Sequence, residues 1–321
     1  MSSHNEIVMS IRGLFKQFDD HKVLHDVNLE VARGQFVSLV GPSGCGKSTL
    51  LYSIVGTLDT SEGAVIIRDG YSERVVDGPG RDRGIVYQRY SLFPFLTALE
   101  NVAFGPLLAE STIPGRLFAR VNPFAAWRKQ RKEHLARAEK MLVRFGLKEV
   151  LHKYPSMLSG GQQQRVAIAQ ALIMEPKILL MDEPFGAIDP QRREDLQRVM
   201  LELYAENLEA IAKDGKPLYT VVLVTHELQE AIFVGDRVVG LSQYWGWQQA
   251  GFASAPGATV VYDRKAPVFK PSDMRDLQNC AAQRLEILEV VYDEESSHAP
   301  GPYVTFWDDM AVDPDGHGVA R

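Results

Sequence analysis

Hydrophobic and polar positions alternate in two stretches near the start of the chain, residues 7–11 and 27–31. A period of two residues places the apolar side chains on one face, so both stretches are predicted to be half-buried strands. Phe36–Val40 is apolar at four of its five positions, which is typical of a strand buried on both faces. The same patterns predict further strands at residues 63–67, 84–88, 178–181 and 218–224.

Apolar residues recur with helical spacing in other regions of the chain. A helix directly after residues 36–40 is predicted from Leu50, Leu51, Ile54 and Val55. Helical patterns also dominate residues 89–171, where Thr97 and Glu100 have the spacing of a capping box, and a long helix is predicted at about 190–213.

The last eighty residues give a weaker pattern. Ser272 can cap a helix whose apolar face comprises Met274, Leu277, Ala281, Leu285 and Leu288. From Asp293 onward the chain is rich in Asp, Glu, Pro and Gly, and this composition predicts an end that packs poorly.

The overall composition is that of an ordinary globular protein. The 321 residues are 45% hydrophobic and 24% charged, with a net charge of −6, so no overall positive field attracts nucleic acid. No apolar run reaches the roughly 18 residues of a membrane span, and we expect no signal peptide at the N-terminus. We expect the only two cysteines, Cys45 and Cys280, to be reduced thiols in the cytosol.

A glycine-rich motif lies between the predicted strand 36–40 and the helix after it. It has the form G-x-x-x-x-G-K-S and comprises Gly41, Pro42, Ser43, Gly44, Cys45, Gly46, Lys47, Ser48 and Thr49. Glycines allow successive backbone N–H groups to turn toward one anion, and the helix N-terminus adds partial positive charge. Lys47 is then placed for the β- and γ-phosphates of a nucleotide, and the Ser48 hydroxyl for Mg²⁺.

Polar residues follow three of the predicted strands, where they could surround the phosphates. Gln88 ends one strand, Asp182 and Glu183 follow another, and Thr225 and His226 follow a third. An aspartate beside a phosphate loop is the expected second anchor for Mg²⁺, and the next carboxylate can deprotonate a water. From the residues alone, an ordinary strand end is the commoner explanation for Gln88, a structural histidine for His226, and a core aromatic for Phe18.

A second potential anion site begins at Ser159. Ser159, Gly160, Gly161 and Gln162 come directly before a helical pattern, so a serine cap and two glycines lie at a helix N-terminus.

Residues 111–132 carry six basic and no acidic side chains, interleaved with aromatics. Either a solvated basic face or a patch that faces a partner or a membrane is consistent with this pattern.

Taken in order, these motifs resemble the ATP-binding subunit of an ABC transporter over roughly residues 5–240. The most specific part is Leu158–Gln162, written Leu-Ser-Gly-Gly-Gln, which looks like the signature sequence of that family. The resemblance implies an α/β P-loop NTPase fold with a RecA-like core, an N-terminal antiparallel β subdomain, an inserted α-helical subdomain at 89–171 and a C-terminal appendage. We accordingly expect an ATPase domain at 1–240 and an extension of unassigned role at 241–321.

The resemblance also implies a role for each motif residue. Phe18 matches an adenine-stacking aromatic, Lys47 belongs to Walker A, and Gln88 matches the Q-loop glutamine. Asp182 matches the Walker B aspartate that binds Mg²⁺, Glu183 the general base, and His226 the switch histidine at the γ-phosphate. Residues that contact ATP from the partner subunit match Ser159, Gly160, Gly161, Gln162 and the D-loop Asp189.

The family's partners and location follow as expectations. Two copies meet head to tail around two ATP molecules, on the cytoplasmic side of the inner membrane, with permease subunits and indirectly a solute-binding protein. The runs 40–47 and 88–105 look most like importers of the nitrate, sulfonate and taurine kind. The alternatives are a soluble ABC ATPase of DNA repair or translation and a subunit that binds ATP without turnover.

Overall fold

The computed structural model describes residues 6–70, 72–88, 91–110, 123–186, 190–270, 277–295 and 299–312. Within these ranges the strands are β1 (Ile7–Phe18), β2 (His21–Ala32), β3 (Phe36–Val40), β4 (Glu62–Asp69), β5 (Ser72–Val75), β6 (Arg83–Val86), β7 (Ile178–Asp182), β8 (Val221–Val224), β9 (Arg237–Ser242) and β10 (Thr259–Lys265). The helices are α1 (Lys47–Val55), α2 (Ala98–Glu110), α3 (Pro123–Arg144), α4 (Gly160–Leu172), α5 (Pro190–Asp214), α6 (Leu228–Val234), α7 (Leu277–Ile287) and α8 (Phe306–Val312).

A six-stranded sheet in the order β10-β9-β3-β8-β7-β6 forms the centre of the molecule. All neighbouring strands are parallel except β10, which runs antiparallel to β9 at one edge. The carboxyl ends of β3, β7 and β8 therefore meet at one edge of the sheet, which is where ligands bind in open parallel sheets. The phosphate loop, Glu183 and His226 all follow these strand ends.

The two faces of this sheet are covered by different elements. Leu180 and Val222 belong to a core that includes α1, whereas their neighbours Leu179 and Leu223 belong to a second core that includes α4. Successive strand residues point to opposite faces, so α1 and α4 lie on opposite sides of the central sheet. This arrangement separates the N-termini of the two helices that the sequence identified as anion sites.

The first strands form a separate antiparallel sheet in the order β2-β1-β4-β5. Its apolar side chains, among them Met9, Leu29 and Ile67, share one core with α1 and the central sheet. The strands predicted at 7–11, 27–31 and 63–67 are thereby confirmed, and β1 and β2 extend to 12 residues each. None of the described helices combines the length and apolar character that crossing a membrane requires.

Helices α2, α3 and α4 form the region predicted to be helical. Thr97 and Glu100 make the expected capping box, since Glu100 N–H donates to Thr97 Oγ1 (3.3 Å) and Thr97 N–H to Glu100 Oε2 (3.1 Å). The basic stretch at 111–132 lies largely outside the described residues. Of its described side chains, Arg128, Lys129 and Lys132 are exposed.

Segments after residue 240 pack closely against the rest of the molecule. Strand β10 pairs along β9, and the buried guanidinium of Arg237 donates to Asp263 at 2.6 and 2.7 Å. Phe306 of α8 is 4% exposed and its ring lies 4.0 Å from the Arg237 guanidinium, so the prediction of a poorly packed end is wrong there. The division into a domain at 1–240 and an extension at 241–321 stays a prediction.

Candidate nucleotide-binding site

The glycine motif forms the connection between β3 and α1, as its sequence context predicted. Gly46 precedes the first helical residue with φ of 98°, in the left-handed region that favours glycine. A Cβ atom on Gly46 would lie 2.8 Å from Val23 Cγ1 and 2.9 Å from Leu24 Cδ2, so a side chain does not fit there. Gly44 also has positive φ, with open space around it. The tight packing and positive φ at Gly46 therefore require glycine at this position of the loop.

Lys47 places its ammonium group inside the curve of this loop. The side-chain Nζ donates to the carbonyl oxygens of Gly41 (2.7 Å) and Pro42 (2.8 Å), and the residue is only 7% exposed. A buried cation held by loop carbonyls at a helix N-terminus is a suitable partner for phosphate oxygens.

Ser48 and Asp182 come together from α1 and the end of β7. Ser48 Oγ donates to Asp182 Oδ1 (3.1 Å), and the hydroxyl of Tyr52 donates to Asp182 Oδ2 (2.9 Å). Burial, reinforced by this carboxylate, raises the pKa of Tyr52 to about 12, so the phenol remains a neutral donor. Hydroxyl and carboxylate oxygens are hard ligands that suit Mg²⁺, so this pair fits the expected metal.

The carboxylate of Glu183 is approached by polar side chains that follow two other strands, β6 and β8. Gln88 Nε2 donates to Glu183 Oε2 at 2.7 Å, and His226 Nδ1 lies 3.6 Å from the same oxygen. The Glu183 and His226 side chains are 26% and 52% exposed, so solvent and a ligand can reach this group. The amide of Gln88 and the imidazole of His226 therefore approach the same oxygen, Oε2 of Glu183, in the residue that follows Asp182.

Ser159 caps helix α4 on the other side of the central sheet. Its Oγ accepts from Gln162 N–H (3.4 Å), while Gln162 Oε1 accepts from Ser159 N–H (3.0 Å), which completes a reciprocal capping box. Gly160 and Gly161 form the first turn of the helix. The structure does not bring this group together with Lys47 of the same chain, because α1 and α4 occupy opposite faces.

The remaining predicted site residues have different outcomes. Phe18 ends β1 with 43% of its surface exposed, and Lys16 Nζ lies 4.8 Å from the centre of its ring. Asp189 lies outside the described residues. Cys45 and Cys280 are both buried free thiols, and burial raises the pKa of Cys45.

Tyr52 is a member of the site that the sequence analysis missed. It lies four residues after Ser48 on α1, which places both side chains on one face of the helix. That spacing is visible in the sequence, but the contact with Asp182 requires β7 to lie beside α1, and only the fold establishes this.

Comparisons with known proteins agree with this geometry. Residues 24–186 match the ABC transporter family. The glutamine transport ATP-binding protein GlnQ of Escherichia coli (strain K12) is 39% identical over 239 residues, which cover 72% of this chain and 86% of GlnQ. The nitrate import ATP-binding protein NrtD of Synechococcus elongatus is 35% identical over 272 residues, which cover 84% of each chain.

A solved ATP-binding cassette, described as dimeric and in a post-hydrolysis state with ADP and Pi, superposes with a TM-score of 0.57 at 30% identity. The match covers 81% of this chain and 100% of the cassette. The predicted α/β P-loop NTPase fold is therefore confirmed, and a nucleotide is the ligand that this type of domain binds. The chain belongs to the ABC transporter family, as one of its ATP-binding proteins.

Proposed function

We propose that this chain is the ATP-hydrolysing subunit of an ABC importer, with two copies enclosing two ATP molecules. The observation that supports this most directly is the group at Glu183, where Gln88 and His226 approach one carboxylate oxygen beside Asp182 and Ser48. A subunit that only bound nucleotide would not need a carboxylate held by an amide and an imidazole at this position.

The phosphate loop would hold the substrate. Lys47 Nζ and the loop N–H groups bind the β- and γ-phosphates, and the exposed ring of Phe18 stacks on adenine. Ser48, Asp182 and Gln88 would hold Mg²⁺, which when bound neutralises negative charge on the phosphates.

Glu183 would act as the general base. It accepts a proton from a water whose oxygen attacks the γ-phosphorus, and the bond between that phosphorus and the bridging oxygen of ADP breaks. Gln88 orients the carboxylate and the water, since its amide already donates to Glu183. His226 donates to the γ-phosphate oxygens, where negative charge must be stabilised in the transition state.

Two copies are needed because one chain holds its two anion sites on opposite faces of the central sheet. In a head-to-tail dimer, Ser159, Gly160, Gly161 and Gln162 of one copy would face the γ-phosphate bound by Lys47 of the other. Asp189 would lie at the same interface. A twofold axis makes the two composite sites equivalent.

The permease would dock on the helical region. Phe95 is 70% exposed, and its ring lies 5.7 Å from that of Phe93 in the segment that follows Gln88. Met157 is 61% exposed near the start of α4. We propose these exposed side chains as part of the protein–protein contact site. Movement of Gln88 on hydrolysis could then reach the permease through this segment.

The names of the relatives favour import over the soluble alternative. GlnQ is a glutamine transport protein and NrtD a nitrate import protein. We propose the nitrate, sulfonate and taurine class of solutes, with the chain at the cytoplasmic face of the membrane beside permease subunits and a solute-binding protein. The runner-up is a soluble ABC ATPase without a permease.

Replacing Glu183 with Gln tests the proposed reaction. Glu183→Gln keeps the shape of the side chain but removes the base, so ATPase activity should fall at least about 100-fold. ATP binding should persist and a dimer should accumulate, which equilibrium binding and size-exclusion chromatography would measure. The matched control is Glu227→Gln, at an exposed carboxylate of the same sheet edge, which should retain turnover.

Normal turnover in Glu183→Gln would remove Glu183 as the base. The importer assignment has a separate check, in which the chain is expressed with its neighbouring genes. Co-purification with an integral-membrane permease is expected, and recovery from the soluble fraction alone would favour the non-transport ATPase.

A further inference from the structure

A tyrosine from the C-terminal extension contacts the first residue of the phosphate loop. Gly41 N–H donates to the hydroxyl oxygen of Tyr292 at 3.1 Å, across 251 positions of sequence. Gly41 is buried, so without this partner its N–H would lose a hydrogen bond that water cannot easily replace. Burial raises the pKa of Tyr292 to about 12, so its hydroxyl remains protonated at neutral pH.

The position of Tyr292 is fixed by the end of strand β9. Tyr292 closes a π-helical turn, Leu288–Tyr292, which follows α7. Ser242 Oγ donates to the carbonyl oxygen of Val291 at 2.6 Å. Gly240 leaves room for the turn, because a Cβ atom there would lie only 2.5 Å from Val291 Cγ2. The turn is thus held against the sheet at the level of the phosphate loop.

The last residues of β9 also contact the phosphate loop directly. Cys45 Sγ donates to the carbonyl oxygen of Leu241 at 3.3 Å. A Cβ atom on Gly41 would lie 2.1 Å from that oxygen, so the loop backbone is packed directly against Leu241. The carbonyl of Gly41 meanwhile accepts from Lys47 Nζ at 2.7 Å. One residue is therefore held at its N–H by Tyr292 and at its carbonyl by Lys47.

We propose that Tyr292 is a positioning residue for nucleotide binding, which holds Gly41 and thereby the phosphate loop in the geometry that accepts ATP. This inference rests on the proposed function. It gives the extension after residue 240 a role in ATP affinity, through a single hydrogen bond.

The position of Tyr292 predicts which kinetic constant responds. Tyr292 acts on the loop at Gly41, whereas the group proposed for water activation is centred on Glu183. Loosening the loop removes binding that substrate and transition state share, so the KM for ATP should rise while kcat is kept. If Tyr292 had a purely structural role, loss of its hydroxyl would lower thermal stability without changing the ratio of KM to kcat.

Tyr292→Phe is the direct test, because it keeps the ring and removes only the hydroxyl. In the full-length protein, the Kd for ATP measured without hydrolysis should rise about threefold to tenfold, the equivalent of one net hydrogen bond. The KM should rise in parallel, with kcat within about twofold of wild type. The matched control is Tyr244→Phe, whose hydroxyl donates to Glu294 Oε1 at 3.2 Å in the same extension, and its Kd should stay within about twofold.

Two results would overturn the inference. One is an unchanged Kd in Tyr292→Phe, whether or not its unfolding midpoint falls, and the other is an equal loss of affinity in Tyr244→Phe. Failure of the proposed function would look different, since the wild-type protein itself would then neither bind nor hydrolyse ATP.

Discussion

Glu183 adopts a left-handed backbone conformation, with φ of 46°, which is rare for a residue with a side chain. Such a conformation costs on the order of 1 kcal/mol and persists only where the surroundings enforce it. Here the backbone N–H of Glu183 donates to the carbonyl oxygen of Val224 (3.0 Å), and its carbonyl accepts from Gly186 N–H (3.1 Å). In this conformation the carboxylate contacts Gln88 and His226 directly after β7.

The protonation of Asp236 is controlled by its burial. It accepts a hydrogen bond from Phe36 N–H (3.0 Å), at the turn between α6 and β9. Burial raises its pKa from 3.8 to about 7. Between these values the folded protein keeps a proton on Asp236 that the unfolded chain releases.

This shift predicts a specific dependence of stability on pH. The contribution of protonated Asp236 is complete below about pH 4 and is lost as the pH rises to about 7. Relative to Asp236→Asn, which cannot ionise, the wild type should lose up to about 4 kcal/mol of unfolding free energy over that range. Urea unfolding of both proteins from pH 4.5 to 8 measures the difference. Parallel curves would contradict a raised pKa.

At the scale of elements, local chemistry sets the helix starts, while long-range contacts set the strand partners. The capping box of Thr97 and Glu100 and the serine cap at Ser159 each lie within four residues of sequence and form as predicted, and Gln162 completes a second capping box at Ser159. By contrast, β9 lies between β3 and β10, and its last residues also support the π-helical turn 288–292. Strand β9 is therefore where the sheet, the phosphate loop and the extension meet.

Gly240→Ala should disturb this junction. The added Cβ would meet Val291 Cγ2 at 2.5 Å and Tyr262 Cβ at 2.8 Å, both in buried residues that have little freedom to move. Overpacking of this kind costs about 1–3 kcal/mol, so the thermal unfolding midpoint should fall by several degrees. In the control, Gly78→Ala, no atom lies within 4 Å of the new Cβ, and the midpoint should stay near the wild-type value. Equal midpoints for the two variants would argue against tight packing at Gly240.

For the whole molecule, the decisive feature is the placement of α1 and α4 on opposite faces of one sheet. In the proposed dimer, each chain would offer Lys47 to one composite site and Ser159 to the other. In a twofold dimer the same two surfaces meet twice, so both composite sites would combine Lys47 of one chain with Ser159 of the other.

Mixing two inactive variants tests the proposed dimer. Lys47→Ala lacks the phosphate ligand, and Ser159→Arg blocks the α4 cap, so each should be inactive alone. In mixed dimers one site combines an intact Lys47 with an intact Ser159, so about a quarter of all sites should recover. ATPase assays before and after mixing measure this, with each variant mixed with itself as the control. Activity of Ser159→Arg alone, or none after mixing, would contradict the composite site.

Features that depend on neighbouring residues could be predicted from the amino-acid sequence. The phosphate loop between β3 and α1, the cap residues Thr97 and Ser159, and the family resemblance all follow from short-range patterns. These can be read because periodicity, glycine and cap residues act within a few positions of the chain. Asp182 ends β7 as the strand pattern indicated, whereas β6 and β8 end two residues before Gln88 and His226.

Contacts between distant groups became known only from the folded chain. Tyr52 reaches Asp182, Phe306 lies on buried Arg237, and Tyr292 accepts a hydrogen bond from Gly41. The end of the chain was predicted to pack poorly because its composition is polar. A few apolar residues are nevertheless enough to hold it, because they pack against a surface that the rest of the fold already forms. Contacts across hundreds of positions depend on the order of strands and on which face each helix covers, and neither leaves a local pattern in the sequence.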